Sequence, residues 1–564
     1  MKLLDYAWNT ATSISGRDHQ NLRLLLDEDL VNPILSSDSR GYVIKLPVPR
    51  RVKEGLYTMH GLYFDEDTTS WLSSWRLFKA SLYHTSLHAA YSNFPSYSDW
   101  ARGKDSAAAT YSVSLIEDIK VTLEAARDWR GLLGDIAYAN YISSLRVHDP
   151  DDIDGRALRF ATKLLFKIWG VNHSNSNPSD EDIIISNLSN EITQLVRQSV
   201  STKQDNNSLL LQAADTVYRA IMNQGTLREA ISLPYAETHG KCGIFDNKIV
   251  DYENSKELMQ TACQTLGLGP SLLTEQDSLS PGEAEEFHHL TKATETSMKR
   301  IMEKYNELIA PTRLDSVEIP KGDYGMFLRA RAVVSGAVRS IRDRLKLVKN
   351  ASEENSGYES GQIDITAAIQ VMASGIERND VFTRDDIINK EEAWAILVDT
   401  SKSISTVAHE IRSITACLAE IAKDLMPAQN RWGLFGFNNS LQIIKEFKES
   451  YDIESKARIG GITQQNSTLL PDAMLACYKA LAEIPVDNKI LMVVSDGYPT
   501  GYSQIERNLV STINQISKTG CLLMGVGVDN PAIQDYFTVS CVLESPYQMM
   551  KFFAKSYLEL ASMF

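Results

Sequence analysis

The sequence of 564 residues predicts a protein of mixed α/β class. A C-terminal, mostly parallel sheet covered by helices on both faces is expected to follow a large, mainly α-helical region. Three observations carry this expectation. From residue 393 onward, short runs that are apolar at every position alternate with segments whose apolar residues recur every three or four positions. Strands buried on both faces and joined by amphipathic helices mark a parallel sheet. Before residue 266 the three- and four-residue spacing dominates instead. Finally, a chain that is 43% hydrophobic and 23% charged has the balance of ordinary folded domains, and no apolar run approaches the ~20 residues needed to span a bilayer.

In chain order, Tyr42–Val48 and Leu56–Phe64 read as two short strands. Pro47 and Pro49 would place the first at a sheet edge, where a missing N–H is tolerated. Trp71–Tyr91, Ser112–Leu133, Arg156–Trp169 and Asp182–Gln198 read as amphipathic helices. Three stretches read as breaks: Val171–Asp182, Gly267–Glu286 and the solvated link Ala351–Gln362. Their Gly, Pro, Ser and acid content buries too little apolar area to offset ordering. Between the last two, Phe327, Val334, Val338, Ile341, Leu345 and Val348 form one helical stripe. The other faces of that helix carry Arg329, Arg331, Arg339, Arg342, Arg344, Lys346 and Lys349 against one acid, Asp343. It is either a core-packing helix with a solvated basic side or a docking face for an acidic partner or an acidic part of the same chain, with nucleic acid the minor alternative.

The C-terminal pattern begins with Ala393–Val398, a continuous apolar run closed by Asp399. A helix follows, with Ile411, Ile414, Leu418, Ile421 and Leu425 on one face. Trp432–Phe437 and Leu441–Phe447 are strand-like, and Leu470, Met474, Cys477 and Leu481 mark a further helix. Ile490–Val494 is a buried strand ending at Ser495-Asp496-Gly497. Ile505–Ile516 is helical, Cys521–Val528 a strand and Gln548–Leu560 a last helix. These patterns divide the chain into a helical domain (1–265), a linker and helix (266–310), a basic helix and connector (311–390) and the α/β domain (391–564).

The charge balance is 57 basic against 72 acidic residues, a net −15. That argues against nucleic acid or anionic lipid as a partner of the whole chain. The six cysteines, at 242, 263, 417, 477, 521 and 541, show no C-x-x-C pair and fit free thiols in a reducing compartment. The N-terminal Met1-Lys2-Leu3-Leu4-Asp5 meets an acid after two leucines, unlike a signal peptide, so the expected location is the cytoplasm.

Ligands of a doubly covered parallel sheet bind at the carboxyl ends of its strands. Asp399-Thr400-Ser401-Lys402-Ser403 follows one such end and Asp496 another, while Thr468 precedes a helix near Pro471. Two carboxylates and three hydroxyls from three loops would suit Mg²⁺, a hard cation that takes oxygen ligands. Lys402 must point outward for a cation to sit there. With no nucleophile–base pair and no phosphate loop among them, these residues form a binding device rather than a catalytic one.

This set resembles the von Willebrand factor A (VWA) domain with its metal-ion-dependent adhesion site (MIDAS). The matching elements are Asp399, Ser401 and Ser403; Thr468 within Asn466–Leu475; Ser495-Asp496-Gly497 with Pro499; and Gly525–Asp529. The resemblance implies a Rossmann-like sheet and Mg²⁺, or Mn²⁺ or Ca²⁺, held by Asp399, Ser401, Ser403, Thr468 and Asp496. More widely, the helical N-terminal region, the basic helix, the segment Gly361–Phe382 and a C-terminal VWA domain resemble the CobT/NorD group. That resemblance implies a MoxR-type AAA+ ATPase as partner and a metalloenzyme or chelatase as client. The expected function is a non-catalytic, metal-dependent protein-binding adaptor in metalloenzyme activation or metal insertion. The alternatives are a CobT-like subunit of a cobalt or magnesium chelatase and an RNA-binding VWA protein, the latter disfavoured by the acidic balance.

His84 and His88 sit one helical turn apart, a spacing that can hold zinc, with Glu117 as the candidate third ligand. Leu115–Val121, around Glu117, is loosely similar to an acidic helix of CobT-like proteins. The competing reading is a pair of ordinary helix histidines. Thr85 stands where a zinc peptidase needs its general-base Glu, so peptidase chemistry is not expected. His288-His289, beside an acidic linker, reads as solvated.

Overall fold

The computed structural model describes residues 2–37, 40–144, 150–170, 179–201, 207–227, 281–349, 353–358, 362–374, 380–386, 391–426, 428–465, 467–496 and 505–561. The chain forms two compact units, Met1–Ser297 and Met298–Phe564. Most of Val171–Asp182 and of Gly267–Glu286, together with Cys242 and Cys263, lies outside the described residues.

The first unit opens with helix α1 (Leu3–Ser15) and six strands: β1 (Leu22–Asp27), β2 (Ile34–Ser37), β3 (Tyr42–Pro47), β4 (Arg50–Lys53), β5 (Leu56–Met59) and β6 (Leu62–Asp65). They build two small sheets, ordered β1-β3-β2 and β4-β5-β6. Two expectations are corrected here. Strand β3 is central rather than an edge, parallel to β1 and antiparallel to β2. Pro47 is tolerated because it occupies the last register position, opposite Asp27, where the ladder ends. Leu56–Phe64 is not one strand but a hairpin. His60 (φ 53°) and Gly61 (φ 68°) form a two-residue turn with both φ positive, matched to the twist of the paired strands.

The helices of this unit are α2 (Thr68–Tyr91), α3 (Ser98–Ala101), α4 (Ser106–Asp128), α5 (Leu133–Ser144), α6 (Arg156–Trp169), α7 (Asp180–Ser201) and α8 (Asn207–Gln224). Asp67 starts α2 by accepting the Ser70 N–H at 2.8 Å, and Asp105 starts α4 by accepting that of Ala108 at 2.9 Å. Helix α2 packs against α1, α4 and α5 and is buried on every side from Ser70 to Ala89. Such a helix is normally apolar all round, yet this one carries Ser74, Ser81, Thr85 and Ser86. Each hydroxyl is satisfied by a carbonyl of the preceding turn, at 2.9, 3.0, 2.8 and 2.6 Å.

Helix α9 (Pro281–Ile309) crosses the boundary between the units, so the last residues of Gly267–Glu286 are helical rather than a break. The second unit continues with β7 (Val317–Glu318), α10 (Tyr324–Lys349), β8 (Glu353–Tyr358), β9 (Gln362–Ile363), α11 (Ile365–Ser374) and β10 (Phe382–Asp386). Strand β10 pairs with both β8 and β9, so the expected solvated link at Ala351–Gln362 contains strand instead. There follow β11 (Glu392–Asp399), α12 (Ala408–Leu425), β12 (Trp432–Phe437), β13 (Leu441–Lys445), α13 (Ile453–Gly460), α14 (Leu470–Ala482), β14 (Asn488–Ser495), α15 (Ile505–Ser517), β15 (Leu522–Val528), β16 (Val539–Leu543) and α16 (Phe552–Ala561).

Seven strands form one sheet in the order β16-β15-β14-β11-β12-β13-β7. Every neighbouring pair is parallel except β12–β13. The strand alternation of β11 divides the core. Trp394, Ile396 and Val398 face Phe327, Val334, Ile341 and Leu345 of α10 together with Ile411, Ile414 and Leu418 of α12. Ala393, Ala395 and Leu397 face Tyr305, Leu470, Met474 and Leu509. Helix α10 is thus a core-packing helix. On its basic side Arg331 lies 3.8 Å from Glu420, and Arg342 lies 3.8 Å from Asp424, both acids of α12. Cys417, Cys477, Cys521 and Cys541 are buried and unpaired. Burial pushes the thiols of Cys417, Cys521 and Cys541 up to about 12, so they pack as small apolar groups. Among the described residues no helix is long and apolar enough to cross a membrane.

Two glycines give opposite expectations. A methyl at Gly460 would collide with the Asp323 carbonyl and the Phe327 amide, where α10 docks on α13. Gly336 sits in α10 with open space around it. Gly460→Ala should destabilise the second unit by about 3 kcal/mol, whereas Gly336→Ala should stabilise it by about 0.5–1 kcal/mol. Calorimetry on the full chain checks both signs.

Candidate functional site

In the large sheet the chain leaves β11 toward β12 and leaves β14 toward β15, on opposite sides. Such a reversal opens a crevice at the carboxyl ends of the two central strands. The register pairs Val398 with Val494, so Asp399 and Ser495 end their strands side by side. Asp399 is fully buried, with Oδ1 accepting the Ser401 N–H at 2.9 Å and Oδ2 accepting the Ser495 hydroxyl at 2.7 Å. The Ser401 and Ser403 hydroxyls are 2.9 Å apart. Asp496 follows β14 directly and is half-buried, while Lys402, between the two serines, is exposed.

The loop carrying Thr468 is anchored beside this carboxylate. The Thr400 carbonyl accepts the Gln465 N–H at 2.9 Å, and the Asn438 carbonyl accepts the Leu469 N–H at 3.1 Å. Thr468, just before the second anchor, is buried. Thr400 is itself fixed, its N–H and its hydroxyl both donating to the Phe437 carbonyl at 2.8 and 3.0 Å. Its methyl group needs Gly436, where a Cβ would come within 3.1 Å of Thr400 Cγ2 and 2.9 Å of Gln442 Oε1. Direct contacts therefore join Asp399, Ser401 and Ser403, while shared backbone anchors bring in the Thr468 loop. Gly497 and Pro499 lie outside the described residues. Ser495, outside the five residues expected to hold the ion, is the direct hydrogen-bond partner of Asp399. Strand register, which the sequence leaves implicit, is what reveals it.

Burial pushes the Asp399 carboxyl up to about 6, against the pull of its hydrogen bonds from Ser495 and Ser401 and with the charge of Asp496 adding to the rise. Two acids at one buried edge, surrounded by hydroxyls, are a donor set that a hard divalent cation would stabilise. The residues present fit such an ion.

The second candidate cluster lies in the first unit. His84 Nε2 and His88 Nε2, on α2, are 3.2 Å apart. The third group is Asp118 of α4, not Glu117. Asp118 Oδ1 is 3.1 Å from His88 Nε2 and 3.5 Å from His84 Nε2. Glu117, one residue earlier and therefore turned about 100° around the helix, accepts the Tyr97 hydroxyl at 2.7 Å and lies 3.6 Å from Lys120. Burial, then the neighbouring His84, hold the His88 imidazole below its ordinary value. Burial opposes ionisation of Asp118, but hydrogen bonds from both histidines hold its carboxyl well below the usual range. Thr85 is buried and bonded to backbone carbonyls. His288 is not solvated as expected: its ring stacks on Trp71 at 4.5 Å, with Nε2 3.3 Å from Glu66 Oε1.

No family model matches the chain, and no curated protein matches it.

The raised Asp399 carboxyl sets a pH expectation. In chelator, a folded-state carboxyl at about 6, above the ordinary aspartate value of about 3.9, means that Asp399 favours folding fully below about 4. That contribution is lost as pH rises through about 6. Asp399→Asn, which carries no charge, should therefore gain melting temperature relative to wild type between pH 4 and 7. Added Mg²⁺ should stabilise wild type more at pH 7.5 than at pH 5 and leave the variant unchanged. Melting curves across pH with and without Mg²⁺ check it.

Proposed function

We propose that the second unit is a VWA domain bearing a metal-ion-dependent adhesion site, and that the protein is a non-catalytic adaptor recognising an acidic group on a partner. The observation that carries this reading is the hydrogen-bonded group Asp399, Ser401, Ser403 and Ser495 at the point where the strand order reverses, with Asp496 beside it. Asp399, Ser401, Ser403, Thr468 and Asp496 would hold Mg²⁺. When bound there, the ion supplies an electrophilic place for a visiting carboxylate.

The chain's own residues support binding more readily than catalysis. The five contain no imidazole, thiol or amine, and the Asp399 carboxylate already accepts from the Ser401 N–H and the Ser495 hydroxyl. The sheet positions Asp399, and the Thr400 and Asn438 anchors hold the loop carrying Thr468, which lowers the ordering cost of association. The outward Lys402 stands on the solvent side, where its charge would attract an acidic partner. The partner that best fits this reading is a MoxR-type AAA+ ATPase, which would supply the ATP chemistry, with a metalloenzyme or chelatase as client.

Affinity capture from the native cell with mass spectrometry checks this. An AAA+ ATPase should be recovered with the wild-type chain in Mg²⁺, and recovery should fall at least about tenfold, a loss of about 1.4 kcal/mol, in chelator or with Asp399→Ala. Equal recovery in all three arms would overturn the proposal.

A further inference from the structure

The cluster between α2 and α4 in the first unit is independent of the sheet edge. His84 Nε2, His88 Nε2 and Asp118 Oδ1 form a triangle with sides of 3.1, 3.2 and 3.5 Å. Zinc held by nitrogen and oxygen at about 2.0–2.1 Å in tetrahedral geometry requires ligand atoms about 3.3 Å apart. The triangle therefore has the size of one face of that tetrahedron.

The His84 and His88 side chains are 5% and 1% exposed, so their ring nitrogens converge on Asp118 away from bulk water. Without a metal, both Nε2–H groups can donate to the Asp118 carboxylate. With the imidazole protons on Nδ1 instead, all three atoms turn lone pairs to one cation.

We infer that α2 and α4 together hold a borderline divalent metal ion, best matched by zinc(II), through His84 Nε2, His88 Nε2 and Asp118 Oδ1, with a fourth coordination place open toward solvent. Two imidazoles and one carboxylate suit zinc rather than magnesium or calcium, which take oxygen. The outer contacts agree. His88 Nδ1 lies 2.7 Å from the Ser92 hydroxyl, the kind of partner that fixes the ring of a metal-bound histidine. Phe94 stacks on that ring with centroids 5.9 Å apart. Asp118, whose side chain is 21% exposed, provides the entry path and the side for a water or a small anion as fourth ligand. The ion ties the C-terminal end of α2 to the middle of α4. With Thr85 in place of a general base, the site clamps two helices and does not hydrolyse peptides.

The test uses the full chain, stripped with chelator, dialysed and titrated with Co²⁺ and then Zn²⁺. We expect one equivalent of Co²⁺ with the intense visible absorption of a tetrahedral site, displacement of that signal by Zn²⁺, and a zinc-dependent rise in melting temperature. Asp399→Ala should leave the signal intact, which separates this site from the sheet edge. His88→Gln and Asp118→Asn should each weaken binding by at least about tenfold, whereas Glu117→Gln should not. If His88→Gln fails to fold by circular dichroism, the wild-type stoichiometry and the Asp118→Asn and Glu117→Gln pair decide. Absence of a tetrahedral Co²⁺ signal in wild type at tens of micromolar metal would overturn the inference. So would unchanged affinity in Asp118→Asn, or loss in Glu117→Gln alone.

Discussion

The second unit depends on the parallel pairing of β11 with β14. That register buries both strands between two helical layers and sets Asp399 beside Ser495 at their shared carboxyl edge. A carboxylate so deep in the protein is costly to ionise. The structure meets part of that cost with the Ser401 amide and the Ser495 hydroxyl. Burial and the nearby charge of Asp496 keep the group above its ordinary value. Under the proposed function, the same feature that makes the edge expensive for the isolated chain would make it receptive to a cation.

Much of the second unit was legible in the sequence because its signals are local and redundant. The run Trp432–Phe437 coincides with β12, and the runs Ala393–Val398 and Ile490–Val494 lie within one or two residues of the bounds of β11 and β14. A fully apolar run that ends at an acid admits few other interpretations. The first unit was harder. Leu22–Asp27 carries too little alternation to stand out, and the hairpin at His60-Gly61 depends on two positive φ values that a short run of mostly apolar residues does not announce. Strand β8 is built from Glu353–Tyr358, a segment whose composition reads as loop, and it exists through pairing with the distant β10.

The candidate sites divide along the same line. Asp399, Ser401 and Ser403 lie within five residues, so a motif could find them; Ser495 required the register. On α4 the choice between Glu117 and Asp118 rests on a rotation of about 100° per residue, and helical periodicity of polar residues in a buried segment does not fix the phase. Only packing shows that Glu117 turns to Tyr97 and Asp118 to the histidines.

Helix α2 has a consequence for how such chains diverge. Enclosed on all sides from Ser70 to Ala89, and with the hydroxyls of Ser74, Ser81, Thr85 and Ser86 committed to its own carbonyls, it leaves almost no position where a new side chain would go unnoticed. Drift should accumulate in the surrounding shell and spare this segment. Residues 70–89 are thus a stretch of the first unit where distant ancestry would stay readable after the exposed helices had lost trace of it.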